Sequence, residues 1–396
     1  MCSSHNHIDQ ISKREMGRLS GLISKVKPYF AMVSLQFGYA GMFIITMVCL
    51  KRGMSHYVLV VYRHAFATLA IAPFALVFER KIRPKMTVST FLKIVVLGLL
   101  EPVIDQNLYY VGMKYTSATF ASAIFNVLPA LTFIMAFLFR LEPIKIKKVH
   151  SQAKVIGTLV TLAGAMVMTL YKGPIIDLIW SRGRSHHEST SGSADQHWFA
   201  GTLMMLASCC GWSGFFILQS FTLKAYPAEL SLTSLICFMG MVEGAAVALV
   251  MERNSSAWSL GWDSRLLAAV YSGVVCSGIT YYVQGVVIKA RGPVFVTAFS
   301  PLCMIIVAAL GSLVLAEQIH LGSVIGAIII VFGLYSVVWG KSKDPVVSSS
   351  PTSEKAGALE LPIAATGATK TSIVDSNTDG CVVVSEIPTR IPTSQE

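Results

Sequence analysis

The 396-residue chain is 54% hydrophobic and only 13% charged, with a mean hydropathy of +0.62. Soluble domains carry roughly 25% charged residues, so this composition excludes an ordinary soluble domain. The formal net charge of +11 comes from Lys and Arg set in short stretches between apolar runs. No polar domain offers the basic face that nucleic acid needs.

The N-terminal segment, residues 1–27, is polar and carries Lys13, Arg14, Arg18 and Lys25. It lacks the early apolar stretch of a cleavable signal, so the first hydrophobic helix is expected to act as the targeting signal. A helix crossing the hydrocarbon needs about 20 mostly apolar residues. Such runs fall at 28–50, 57–78, 92–112, 118–139 and 154–171, then at 199–221, 230–251, 266–288, 294–315 and 321–340. These predict an all-α integral membrane protein of ten transmembrane helices. A barrel would show short alternating segments instead.

Between the halves, residues 172–198 form a polar linker expected on the outer face. Residues 342–396, rich in Ser, Thr and Pro, read as a disordered cytosolic tail. With the N-terminus placed inside, about 20 Lys and Arg fall on the cytosolic side and about 8 outside. Both termini are therefore expected in the cytosol. Cys49, Cys209, Cys210, Cys237, Cys276 and Cys303 lie inside apolar runs, and Cys2 and Cys381 in the tails. None has zinc-site spacing, so buried thiols are expected, with no metal and no cofactor. HExxH, GxSxG and phosphate-loop motifs are absent from the helices, so no enzyme is expected.

The halves resemble each other. Gly38 and Gly41 match Gly211 and Gly214, Leu50-Lys51 match Leu223-Lys224, and Glu79-Arg80 match Glu252-Arg253, all at an offset of 173. Tyr109-Tyr110-Val111 match Tyr281-Tyr282-Val283, and Pro129 matches Pro301, at 172. Five helices per half is odd, so the second half (199–341) enters the membrane inverted relative to the first (28–171). Inverted repeats with a site between the halves near the midplane characterise secondary transporters.

The segments LQFGYAG (35–41), VYR (61–63), ASAIFNVLPALTF (121–133), GAMVMTLYKGP (164–174), TYYVQGVVIKARGPVFVTAFSPL (280–302) and LAEQIHLGSVIGA (315–327) carry a family resemblance. The chain resembles plant EamA-type transporters of the drug/metabolite transporter superfamily, in the nodulin-like, "walls are thin"-related branch also called UMAMIT. The resemblance covers about residues 25–344. It implies ten helices and the movement of small solutes, most often amino acids, by facilitated diffusion or proton-linked exchange. Some relatives are linked to auxin instead. LEPVIDQNLYY (100–110) is more similar to the amino-acid-associated members.

Ionisable groups inside a bilayer are costly and mark function by default. Glu101 and Asp105 stand one turn apart on the third helix. Close like charges disfavour double ionisation, so the pair is a candidate for a substrate ammonium or a proton. The alternative leaves Glu101 solvated near the cytosolic end. Gln106, Asn107 and Asn126 add neutral donors and acceptors. Pro129 and Pro301 cannot donate to the carbonyls of Phe125 and Thr297, which predicts kinks in the fourth and ninth helices. Gln36, Trp212, Gln219 and Gln284 are further site candidates, with interhelical bonding as the other reading. Tyr110 and Tyr281, with Tyr109 and Tyr282, are either gates or an interfacial aromatic belt. Arg63 either snorkels outward or meets a substrate carboxylate, His64 is a candidate for titration, and Glu243 is a further buried acid for charge coupling.

Several acids and few cations in the core suit a small zwitterionic or weakly charged organic solute better than a di-anion. The expected partners are that solute and membrane lipid, with no nucleic acid. The pairs Gly240/Gly244 and Gly322/Gly326 pack helices within the protomer or form a homodimer face. The expected location is the plasma membrane, with the vacuolar membrane as the alternative. A channel is the second functional class.

Overall fold

A computed structural model describes residues 26–46, 48–50, 52–116, 124–142, 147–171, 173–176, 195–314 and 319–342. Both expected tails (1–25 and 343–396), most of the 172–198 linker, Cys2 and Cys381 lie outside the described residues.

The described residues are helical almost throughout. Helix α1 is Val26–Leu50 and α2 is His56–Phe78. Helix α3 (88–115) runs through Val88–Gly98, a π-helical turn Leu99–Asp105, and Gln106–Tyr115. Helices α4, α5, α6 and α7 are Leu128–Leu138, Val149–Leu170, Asp195–Ala225 and Glu229–Met251. Helix α8 (Ser264–Arg291) also holds a π-helical turn, Ser272–Ile279. Helix α9 (293–314) is broken at Phe299, and α10 is Leu321–Ser342.

Eight of the described helices are long and apolar enough to cross a membrane: α1, α2 and α5 to α10. Helix α3 is long enough, at 11, 7 and 10 residues in turn, but carries Lys93, Glu101, Asp105 and Lys114. Helix α4 has 11 residues. The outward faces are apolar: Phe74, Val77 and Phe78 on α2, Leu249 and Val250 on α7, and Phe332 and Tyr335 on α10 are more than half exposed. Surfaces of that kind suit lipid, where helices satisfy their own backbone hydrogen bonds.

Close packing rests on small residues. Helix α5 lies along α10 with Gly157 facing Gly333: a Cβ on Gly157 would stand 2.8 Å from the Gly333 carbonyl oxygen. Gly322 and Gly326 press on Tyr171 and Met168 of the same seam, and Gly240 meets Pro102 and His64. Both GxxxG pairs are thus occupied within the chain. At one end of the seam Glu142 takes Lys154 Nζ at 2.7 Å and Lys341 Nζ at 2.5 Å, all three side chains buried.

Helices α2 and α7 are an antiparallel pair, with Gly240 against His64 and Gly244 against Val60. Each is 23 residues long, and their starts stand 173 residues apart. The π turn of α3 coincides with Pro102, which has no N–H for an ordinary helical bond. In α8 the π turn places Gly273 and Gly278 against α2, where a Cβ on Gly278 would stand 3.0 Å from Ile71 Cγ1.

The helices are interrupted beside both prolines expected to kink them, and two other expectations need correction. Pro129 and Pro301 each follow an interruption, at Asn126-Val127 and at Phe299, so the fourth and ninth helices break beside the two prolines. Proline supplies no N–H to the carbonyl four residues earlier, that of Phe125 or Thr297, so the helical ladder breaks there. Residues 195–198, read as linker, already belong to α6. Ile175–Ile176 (β1) pairs antiparallel with Ile319–His320 (β2), a tie the hydropathy pattern does not reveal. Cys210 is exposed on α6 rather than buried.

Candidate functional site

A cavity of about 100 Å³ lies among α1, α2, α3, α6, α9 and the segment leading into α4. That is room for several waters or one small solute. Its wall runs from Gln36 to Leu50 on α1 and from Glu101 to Met113 on α3, with Arg63, Phe125, Asn126, Trp212, Ser300 and Cys303. The lining thus belongs to the middle of the bundle and to the side bearing the end of α1 and the start of α2.

One charged constellation forms the floor. Glu101 and Arg63 are 4% and 5% exposed, which decides that neither snorkels to water. Arg63 Nη2 stands 3.8 Å from Glu101 Oε1. The same oxygen accepts from Gln106 Nε2 at 3.1 Å. Glu101 Oε2 accepts the Tyr281 hydroxyl, and His64 Nε2 lies 3.9 Å away. Arg63 Nε donates to Ser277 Oγ at 2.6 Å, from the π turn of α8. His64 Nδ1 faces the Val60 carbonyl at 2.8 Å, which can only accept, so Nδ1 carries the ring proton. The guanidinium and the Glu101 carboxylate neutralise one another.

Asp105 is different. It lines the cavity, accepts the Ser208 hydroxyl at 2.5 Å, and makes no ion pair among the described residues. An aromatic wall stands nearby. Phe125 and Trp212 are 4.8 Å apart between ring centroids, and Tyr39 meets Trp212 edge-on at 6.2 Å. Trp212 is buried, and its Nε1 has no hydrogen-bond partner.

The cavity thus gathers Gln36, Arg63, Glu101, Asp105, Gln106, Tyr110, Asn126 and Trp212 from the sequence candidates. The others lie elsewhere. Asn107 turns back and donates to the Val103 carbonyl at 2.8 Å. Gln284 donates to the Tyr39 hydroxyl at 3.1 Å, behind the wall. Gln219 lies beside Gly285, about two turns further along α6 from Trp212 and outside the cavity lining. Tyr281 and His64 stand behind Glu101. Tyr109, Tyr110 and Tyr281 are inside the bundle, so the belt reading does not describe them. Glu243 packs against Gly98 outside the cavity, with Oε2 lacking a hydrogen-bond partner.

Sequence reasoning missed Ser208, Ser277 and Tyr39. Tyr39 stood in a repeated motif, GYAG against GWSG, where it aligns with Trp212. The two serines are too ordinary in a membrane helix to signal anything.

Comparison with known proteins follows the same outline. The EamA-like transporter family matches residues 26–170 and again 199–339. Three WAT1-related proteins of Arabidopsis thaliana are 61%, 62% and 60% identical to this chain. The alignments cover 88%, 87% and 87% of this chain and 92%, 92% and 93% of theirs. A solved crystal structure aligns with a TM-score of 0.60 at 16% identity, covering 81% of this chain and 99% of that one, a likeness of fold. With the apolar helices and the two matched halves, these similarities make the chain a multi-pass membrane transporter, not an enzyme, and a member of the EamA-like transporter family.

Proposed function

We propose that the protein is a secondary carrier of small zwitterionic amino acids. In this reading α1 to α10 are ten spans in two inverted five-helix repeats, with both termini in the cytosol. The equal lengths of α2 and α7 and the π turns at matching positions of α3 and α8 support the repeat. The excess of Lys and Arg on one set of loops supports the orientation, which puts the cavity on the outer side. The plasma membrane is the proposed location.

One observation carries the substrate class. Asp105 is the cavity acid without a cation, whereas Glu101 is already paired with Arg63. An uncompensated carboxylate in a membrane protein attracts a positive group. The substrate ammonium therefore goes to Asp105, and Trp212 Nε1 is a donor available to the substrate carboxylate. The Phe125–Trp212 wall takes the side chain.

Auxin is the second reading, because an indole ring would stack on the same wall. Its carboxylate, however, would meet Asp105 without an ammonium to offset it. A channel suits the geometry less, since the lining residues stop at the middle of the bundle. The deciding experiment is counterflow of radiolabelled amino acids and auxin in proteoliposomes at varied pH. A carrier is trans-stimulated by internal unlabelled substrate. Saturable auxin flux with no amino-acid flux would overturn the assignment.

A further inference from the structure

We infer that Glu79 and Glu252 are paired latches, each closing one end of the carrier by capping the start of the helix that the other ends. The inference rests on the inverted-repeat carrier proposed above. Helix α2 ends at Glu79 and α7 ends at Glu252. The Glu79 carboxylate leaves its own helix and accepts the first backbone amides of α7. Leu230 N–H donates to Oε1 at 2.9 Å and Ser231 N–H to Oε2 at 2.7 Å. The α7 cap position is Ala228, which has no side-chain acceptor, so Glu79 supplies the cap from 151 residues away. A carboxylate is favoured there because helix N-termini carry orphan N–H groups and partial positive charge.

Subtracting the repeat offset of 173 turns Leu230 and Ser231 into Tyr57 and Val58, the first turn of α2. Glu252 stands at that end of the antiparallel pair and is the mirror of Glu79. Here the mirror contact is not made. Helix α2 has no side-chain cap, Ser55 Oγ is buried without a partner, and the Glu252 carboxylate has no hydrogen bond among the described residues. Glu252 is nonetheless close enough to Tyr57 to act on its phenol electrostatically.

The asymmetry matches the cavity. The latched end, at Glu79, lies opposite the cavity, and the unlatched end, at Glu252, lies on the cavity side. When the repeats exchange conformations, Glu252 takes up the Tyr57 and Val58 amides and Glu79 lets go of α7. Arg83 braces the Glu79 latch through Ser231 Oγ at 3.1 Å and the Ala75 carbonyl at 3.2 Å. Its mirror position is Ser256, so the Glu252 latch lacks this brace. That difference biases the resting protein toward the state described.

Cys303 lines the cavity and reports which face it opens to. The full chain is placed in right-side-out and inside-out vesicles and treated with a cationic, membrane-impermeant methanethiosulfonate. Modification of the Cys303 peptide is followed by mass spectrometry. Glu79→Gln should lower the ratio of cavity-side to opposite-side labelling by about fivefold, the factor matching loss of one helix cap. Glu252→Gln should raise that ratio, Glu79→Asp should stay near wild type, and the double substitution should return toward it. Shifts in the same direction, or none with Glu252→Gln, would overturn the inference. Glu252 makes no hydrogen bond among the described residues, so its variant tests the idea even if Glu79→Gln fails to fold. Mirrored shifts in a chain without counterflow would sink the transport reading alone. Counterflow without mirrored shifts would sink the latches alone.

Discussion

Glu101 is held by three side chains from three helices, and Asp105, one turn on, by a single hydroxyl. The two carboxylates should therefore fail differently. Removing one partner of a buried ion pair leaves the other charge stranded, at a cost on the order of 3–5 kcal/mol. Glu101→Gln should lower the melting temperature and yield of purified protein, and adding Arg63→Gln should restore part of the loss. Asp105→Asn should leave melting nearly unchanged and cut uptake at least about tenfold, since a charge-assisted contact to an ammonium contributes about 1.5–3 kcal/mol. Equal melting losses in both variants would contradict the distinction. Trp212→Phe keeps the ring and removes a buried donor without a partner. Its melting should hold or rise while the half-saturating substrate concentration rises severalfold, measured on the same preparation. The acids themselves were legible in the sequence, because charge inside an apolar run is conspicuous. Their partners were not. Arg63, Ser277 and Tyr281 reach Glu101 and one another across gaps of 38 to 214 residues, and hydropathy carries no pairing information.

Along single elements, the apolar runs located most helices to within a few residues, as for α7, expected at 230–251 and found at Glu229–Met251. A run of about 20 apolar residues is a one-dimensional signal that needs no partner. Facing is harder. The π turn in α3 widens the helix by about one residue per turn, so positions counted onward from Glu101 slip in phase. Asn107, expected in the site, turns away while Tyr109 and Tyr110 turn in. The glycine seam of α5 and α10 makes its own prediction. A Cβ on Gly157 would press on the backbone of Gly333, which cannot move aside as a side chain can. Gly157→Ala should therefore destabilise the protein by about 1–3 kcal/mol, the usual cost of overpacking. Gly261→Ala, where the nearest atom would stand 3.9 Å off, should be near neutral in the same thermal-unfolding assay.

At the scale of the molecule, the orientation decides which solution the cavity samples. Lys and Arg are held on the cytosolic side of short loops. Arg80, Lys81, Arg83 and Lys85 follow α2, and Lys289 and Arg291 end α8. The opposite loops carry Arg52, Arg253 and Arg265, and the 253–263 loop exposes Trp262 fully, as an interfacial aromatic would be. In the proposed orientation the loop after α2 and the loop before α7 belong to the cytosol, and the loops after α1 and α7 to the outside. Single cysteines test this directly, because Gly53, Lys85, Pro227 and Trp262 are all exposed. Gly53→Cys and Trp262→Cys should react with an impermeant maleimide in intact cells. Lys85→Cys and Pro227→Cys should react only after permeabilisation. The reverse pattern would put the cavity on the cytosolic side and turn the proposed resting state inward. Labelling of all four positions from one face would break the five-helix parity, and with it the inverted repeat on which the carrier reading stands.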